Sequence, residues 1–255
     1  MPHRKLVVIG FVLILAVNIW MRVDYFREVK QRPDFNYPQQ DAEFKEFWAR
    51  AIVTGDWAAP GGRRNPFDLW PYPNYPAYPW FIATHYFIFG IAPAFVRITQ
   101  FIMGVCTVCV LFLFAYRLWG AITALAAMAL LSAYWIFPFF ESVLDQAILA
   151  NFLATLLMLV LLEWLRTLSG QQCVAGKNDT RARTSAIQSN ILWILLVIAG
   201  ILAASIFSNR PEIFPFILLA SCWLFMVAVV TRGICHALLA GIILIATTFA
   251  VIIPI

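Results

Sequence analysis

Charge is what this chain has least of. Only 12% of its 255 residues are Asp, Glu, Lys or Arg, against 62% hydrophobic and a mean hydropathy of +0.81, and a water-soluble fold cannot hide that much apolar surface. Cysteine is sparse too. The five present include Cys106 and Cys109, a C-x-x-C within an apolar helix that lacks the polar shell of a zinc or redox centre, so both read as packing residues. No repeat with a period of about 20 to 50 residues is visible, nor the paired Gly/Pro-broken segments of an inverted-repeat transporter. A signal-peptide cleavage site is also missing: the apolar run 6–23, introduced by His3, Arg4 and Lys5, continues into Asn18-Ile19-Trp20-Met21-Arg22 without small residues. That run is expected to stay as the first membrane helix.

What is present is a series of further apolar runs at 91–118, 121–140, 143–165, 190–207, 213–230 and 234–255, each close to the roughly 20 residues that cross a bilayer core. The expected fold is therefore all-α, a polytopic transmembrane helix bundle of about seven spans. A net charge of +5 would suggest nucleic acid for a soluble protein, but here the Lys and Arg residues flank apolar runs, so nucleic acid is not an expected partner. Arg117, Arg166, Lys177, Arg181, Arg183 and Arg232 fall on one face and Arg210 on the other. The first face is thus cytoplasmic, with the N-terminus inside and loop 24–78 outside; Asn178-Asp179-Thr180, a glycosylation-like triplet, then lies inside and reads as chance.

The long loop is the informative segment. Within it, 41–57 reads DAEFKEFWARAIVTGDW, with Phe44, Phe47, Trp48, Ala51 and Ile52 on one side of a helical wheel and Lys45, Glu46 and Arg50 on the other. This is expected to be an amphipathic helix lying in the membrane interface. Asp41 opens it, a position at which an Asp also serves simply as a helix cap. The stretch 70–80, WPYPNYPAYPW, is too rich in proline to be helical and has the aromatic content of an interface. Near the outer ends of later helices stand Arg97, Glu141, Asp145 and the run Asn209-Arg210-Pro211-Glu212. Under the expected topology these share a face with Asp41, where ionisable groups can form a polar cavity or merely meet water and headgroups.

This order of elements resembles the GT-C superfamily of polyprenol-dependent glycosyltransferases, in particular the branch similar to protein O-mannosyltransferases and the bacterial aminoarabinose transferase of lipid A. The matching residues are Asp41 with Gly55-Asp56-Trp57, Tyr78-Pro79-Trp80, Arg97, Arg117-Leu118-Trp119-Gly120, Leu144-Asp145-Gln146-Ala147 and Arg210-Pro211-Glu212. The family's Asp-Glu pair is here Asp41-Ala42-Glu43. The resemblance implies a membrane enzyme of the cell envelope, in a bacterial inner membrane, that moves a sugar from a polyprenyl-phosphate donor to a lipid, glycan or protein acceptor at the outer face.

An acceptor hydroxyl that attacks the anomeric carbon needs a base, for which Asp41 is the candidate. The departing phosphate needs a fixed cation, for which Arg210 leads, followed by Arg63 and Arg64. Glu43, Glu141, Asp145 and Arg97 are the other candidate substrate-binding residues. Metal use stays open, since some relatives take a divalent ion and others none, and Asp41 with Asp145 would hold it. The resemblance further implies that 1–255 is the N-terminal membrane module of a longer enzyme, completed by downstream helices or a partner chain. The alternatives are a polyprenyl-phosphate-mannose-dependent enzyme of another GT-C branch, to which Tyr75-Pro76-Ala77-Tyr78-Pro79 is a partial match, and a non-catalytic scaffold or transporter.

Overall fold

The computed structural model describes residues 2–38, 41–58, 76–174, 181–210 and 234–252, with scattered positions between 215 and 230. All the regular structure among them is helical: α1 (Pro2–Val29), a 3-10 turn (Pro33–Phe35), α2 (Asp41–Thr54), α3 (Ala77–Phe89), α4 (Pro93–Trp119), α5 (Ala121–Ala133), α6 (Ile136–Ser142), α7 (Ala147–Val174), α8 (Arg181–Asn209) and α9 (Ile234–Ile252). Four of these, α1, α4, α7 and α8, are long and apolar enough to cross a membrane, and α5 with α6 makes a fifth if the pair is one bent span. The protein is thus an all-α, multi-span membrane protein. The described residues do not reach the seven spans expected: 213–230 lies largely outside them, and the apolar part of α9 that is described, Leu238–Thr248, is short of a bilayer crossing.

The run 121–140 also departs from a simple span. It breaks between Ala133 and Ile136, with a 58° bend. Pro138 accounts for the break: in a continuous helix its ring would strike the carbonyl of Tyr134 and its missing N–H would leave that carbonyl unbonded. Tyr134 instead turns to an extended conformation, and Pro138 falls in the first turn of a new helix, where no N–H is required. Similarly, Tyr78-Pro79-Trp80 is helical, against the expectation for 70–80, because Pro79 sits in the first turn of α3. Residues 70–75 lie outside the described residues.

The chain divides into two compact units, 1–152 and 153–255. In the first, α1 runs antiparallel to α4, with Phe11 against Phe112 and Phe26 against Phe101, and parallel to α5, with Gly10 facing Leu125. Val108, Phe112, Ala115, Ala124 and Met128 form the apolar seam. Gly120, with φ +86, turns α4 into α5 in a backbone region that other residues avoid. A second cluster joins α2 to α3 through Ala42, Ala49, Tyr78, Ile82, Ala83 and Tyr86, with Val96 and Leu144 packed on it. In the second unit Trp164 and Leu168 of α7 pack with Leu192 and Leu196 of α8 and Ala240 of α9. Gly200 there lets Thr247 come against the α8 backbone, the small-residue approach typical of helices that pack in lipid.

Candidate functional site

The candidate site is built around residues 141–145, the connector between the bent pair and α7. Three other elements grip it. Arg22 of α1 donates from Nη2 to Glu141 Oε1 at 2.6 Å, both side chains being buried. From α4, Arg97 Nε donates to the carbonyl of Ser142 at 2.7 Å, and Gln100 Nε2 to those of Val143 and Asp145 at 3.2 and 3.3 Å. Lys45 of α2 donates to Asp145 Oδ2 at 2.8 Å. Asp145 Oδ1 in turn accepts from the amide of Ala147 at 2.7 Å and so caps α7.

Arg97 has a second task. Its guanidinium bonds the carbonyls of Phe35 and Asp34 and lies over the Phe35 ring, 4.4 Å from the centroid. The segment that follows α1 is thereby fastened to the connector. Arg97 is buried and turned inward, so it neither snorkels nor faces an open cavity.

α2 lies with an unexpected face inward. The wheel puts Lys45 and Glu46 towards water, yet both are buried, in line with Ala42 and Ala49 at i, i+3, i+4 and i+7. Phe44, Phe47 and Trp48 are only half-buried. Polar partners explain the inversion: Lys45 meets Asp145 and lies 5.6 Å from the Tyr78 ring centroid, while Glu46 accepts from the Tyr86 hydroxyl at 3.0 Å and from Arg50. Burial raises the phenols of Tyr78 and Tyr86 above their usual range, helped by the charge of Asp145 at Tyr78 and of Glu46 at Tyr86. Both stay protonated, and Gln100 Nε2 donates to the Tyr78 hydroxyl at 2.8 Å.

Among the expected site residues, Asp145, Glu141 and Arg97 are therefore brought together at the connector. Asp41 opens α2 one turn before Lys45, so the ion pair draws Asp145 to the same end of the helix. Asp41 is exposed and has no hydrogen-bond or ionic partner among the described residues, and Glu43 is exposed beside it. Glu141, fully buried and paired with Arg22, faces no open cavity. Arg210 follows α8 in the second unit, half-buried, its amide bonded to the Ile206 carbonyl at 2.7 Å. Arg63 and Arg64 lie outside the described residues.

Sequence reasoning missed Arg22, Lys45, Glu46, Tyr78, Tyr86 and Gln100. Arg22 carried a usable signal, an ionisable residue inside the apolar run 6–23. Lys45 and Glu46 carried none, because the partners that draw them inward, Asp145 and Tyr86, are remote in sequence. Of the pair Asp41 and Asp145, the second already accepts one hydrogen bond on each carboxylate oxygen, from Lys45 and from the Ala147 amide. Among the described residues no three His, Cys, Asp or Glu side chains gather to hold a metal. The chain matches no protein-family model, no curated protein and no solved structure.

Proposed function

We propose that this protein is a membrane glycosyltransferase that moves a sugar from a polyprenyl-phosphate donor to an acceptor at the outer face of a bacterial inner membrane. The observation that carries the reading is the exposed carboxylate of Asp41 at the head of a helix whose next turn is locked to Asp145. A base for the acceptor hydroxyl must be accessible and yet fixed in place, and Asp41 on the pinned α2 meets both conditions. Lys45 keeps Asp145 as a positioning residue rather than a second base. Arg210 and the arginines of 63–64 are the cations proposed to meet the leaving phosphate.

The test is transfer itself. Membranes holding the protein are incubated with a panel of radiolabelled polyprenyl-phosphate sugars, and label is expected to pass to a lipid, glycan or protein acceptor. Absence of transfer and of donor binding across the panel would favour a second reading, a non-catalytic membrane scaffold. One observation already favours that second reading: the acids of the connector, Glu141 and Asp145, are both neutralised by cations in a structural network.

A further inference from the structure

Along the seam between α1 and α4, at the end where α1 begins, runs an open groove of about 680 Å³. Val8 and Phe11 of α1 face Cys109, Leu113 and Tyr116 of α4 across it, and Arg4 stands at its mouth. We propose that this groove binds one chain of an anionic glycerophospholipid from the leaflet at the N-terminal end of α1, with the headgroup phosphate on Arg4 and Lys5.

Location decides the kind of occupant. Both walls belong to helices long and apolar enough to span a membrane, and only 11% of the most apolar window of α1 is buried within the protein, a surface that suits a lipid chain as occupant. From Arg4 to Phe11 the groove is about 10 Å long at the helical rise, most of the depth of one leaflet's hydrocarbon.

Charge decides the headgroup. No acidic residue occurs in the first turn of α1, and the first on that helix is Asp24, about 30 Å further along its axis. No Asp or Glu occurs anywhere in 93–133, which covers α4 and α5, the elements packed against this end of α1. Arg117 adds a further cation at the same end of α4. Arg4 and Lys5 have no ionic partner among the described residues. A cation in the first turn of a helix gains nothing from the helix dipole, so the dipole of α1 does not supply a counter-charge to either residue. A phosphate supplies the missing counter-charge.

The second groove on the same seam, about 320 Å³ near Arg22 and Arg27, is a natural comparison. There Arg22 is already neutralised by Glu141, and Asp24 and Glu28 lie on the same stretch of α1. The inference does not depend on the glycosyltransferase reading.

The full chain in nanodiscs is photolabelled with a diazirine-bearing phosphatidylglycerol and the adducts are mapped by mass spectrometry. Adducts are expected on the segments around 7–11 and 109–116, displaced by unlabelled phosphatidylglycerol but poorly by phosphatidylcholine or inorganic phosphate. Each of Arg4→Gln and Lys5→Gln is expected to reduce labelling about fivefold. Val8→Trp, which fills the groove, should abolish it while the protein stays monodisperse. Equal competition by phosphatidylcholine, or unchanged labelling in Arg4→Gln with Lys5→Gln or in Val8→Trp, would overturn the assignment. Preferential displacement by a polyprenyl monophosphate would overturn it in another way, giving the groove to that lipid. Sugar transfer is measured separately on the same preparations, so the two readings fail independently.

Discussion

Asp41 poses the sharpest question at the residue scale, because one side chain has to be told apart as base or as helix opener. Asn serves a helix N-terminus nearly as well as Asp, so Asp41→Asn removes the base while sparing the local structure. Transfer is expected to be lost with circular dichroism and detergent elution unchanged; near-normal turnover would remove Asp41 from the chemistry. Arg210→Ala is expected to slow use of the phosphate-linked donor about a hundredfold or more, the usual cost of losing a donor aimed at developing charge. Insertion should be unaffected, and an unaltered rate would leave Arg210 as an interface anchor. Arg22 poses a stability question instead. Replacing it by Met leaves the buried Glu141 without its partner, a change that costs about 3–5 kcal/mol, while Arg22→Met with Glu141→Gln is expected to recover most of the loss. Equal denaturation midpoints for the single and double variants would show that the pair is not coupled.

Elements show how far the sequence could be read. The apolar runs at 6–23, 91–118, 143–165 and 190–207 each correspond to a helix of spanning length, because hydropathy over 20 residues is a local property of the chain. The break at Tyr134 was in principle legible from Pro138, though hydropathy averages across it. The orientation of α2 was not legible. Its inward face is set by Asp145 and Tyr86, 100 and 40 residues away, and no wheel drawn on α2 alone contains them. The same holds for the candidate site: the order of Asp41, Arg97 and Asp145 could be seen, but not that Arg97 is held on the carbonyls of Ser142, Phe35 and Asp34, nor that Asp145 is held by Lys45. Gly104 tests the α4–α6 seam directly. A methyl there would meet the Glu141 carboxylate, so Gly104→Ala is expected to cost about 1–3 kcal/mol by overpacking. Glu141→Asp, with its shorter side chain, should relieve part of that cost, and a stability unchanged in Gly104→Ala would place the carboxylate elsewhere.

At the scale of the whole molecule, the buried phenols link folding to alkaline pH. Tyr78 and Tyr86 hold their protons more tightly when folded than in an unfolded chain, where tyrosine titrates near about 10. Their contribution is therefore present in full below about pH 10 and fades as pH rises towards the folded values. The melting temperature in detergent is expected to be level from roughly pH 7 to 9 and to fall above 10, with a smaller fall in Tyr86→Phe. An equal fall in that variant would assign the alkaline loss to other groups.

The ion pair between Arg22 and Glu141 also has a consequence in time. The two residues are 119 positions apart, and a ribosome adding about 5–20 residues per second needs roughly 6–24 s to make the second after the first. Throughout that interval the first helix carries a guanidinium whose counter-ion has not been synthesised, and releasing it into lipid would strand the charge. The nascent helix is thus bound to linger beside the insertion machinery, or to sit displaced towards the headgroups, until the bent pair emerges and draws it to its final depth.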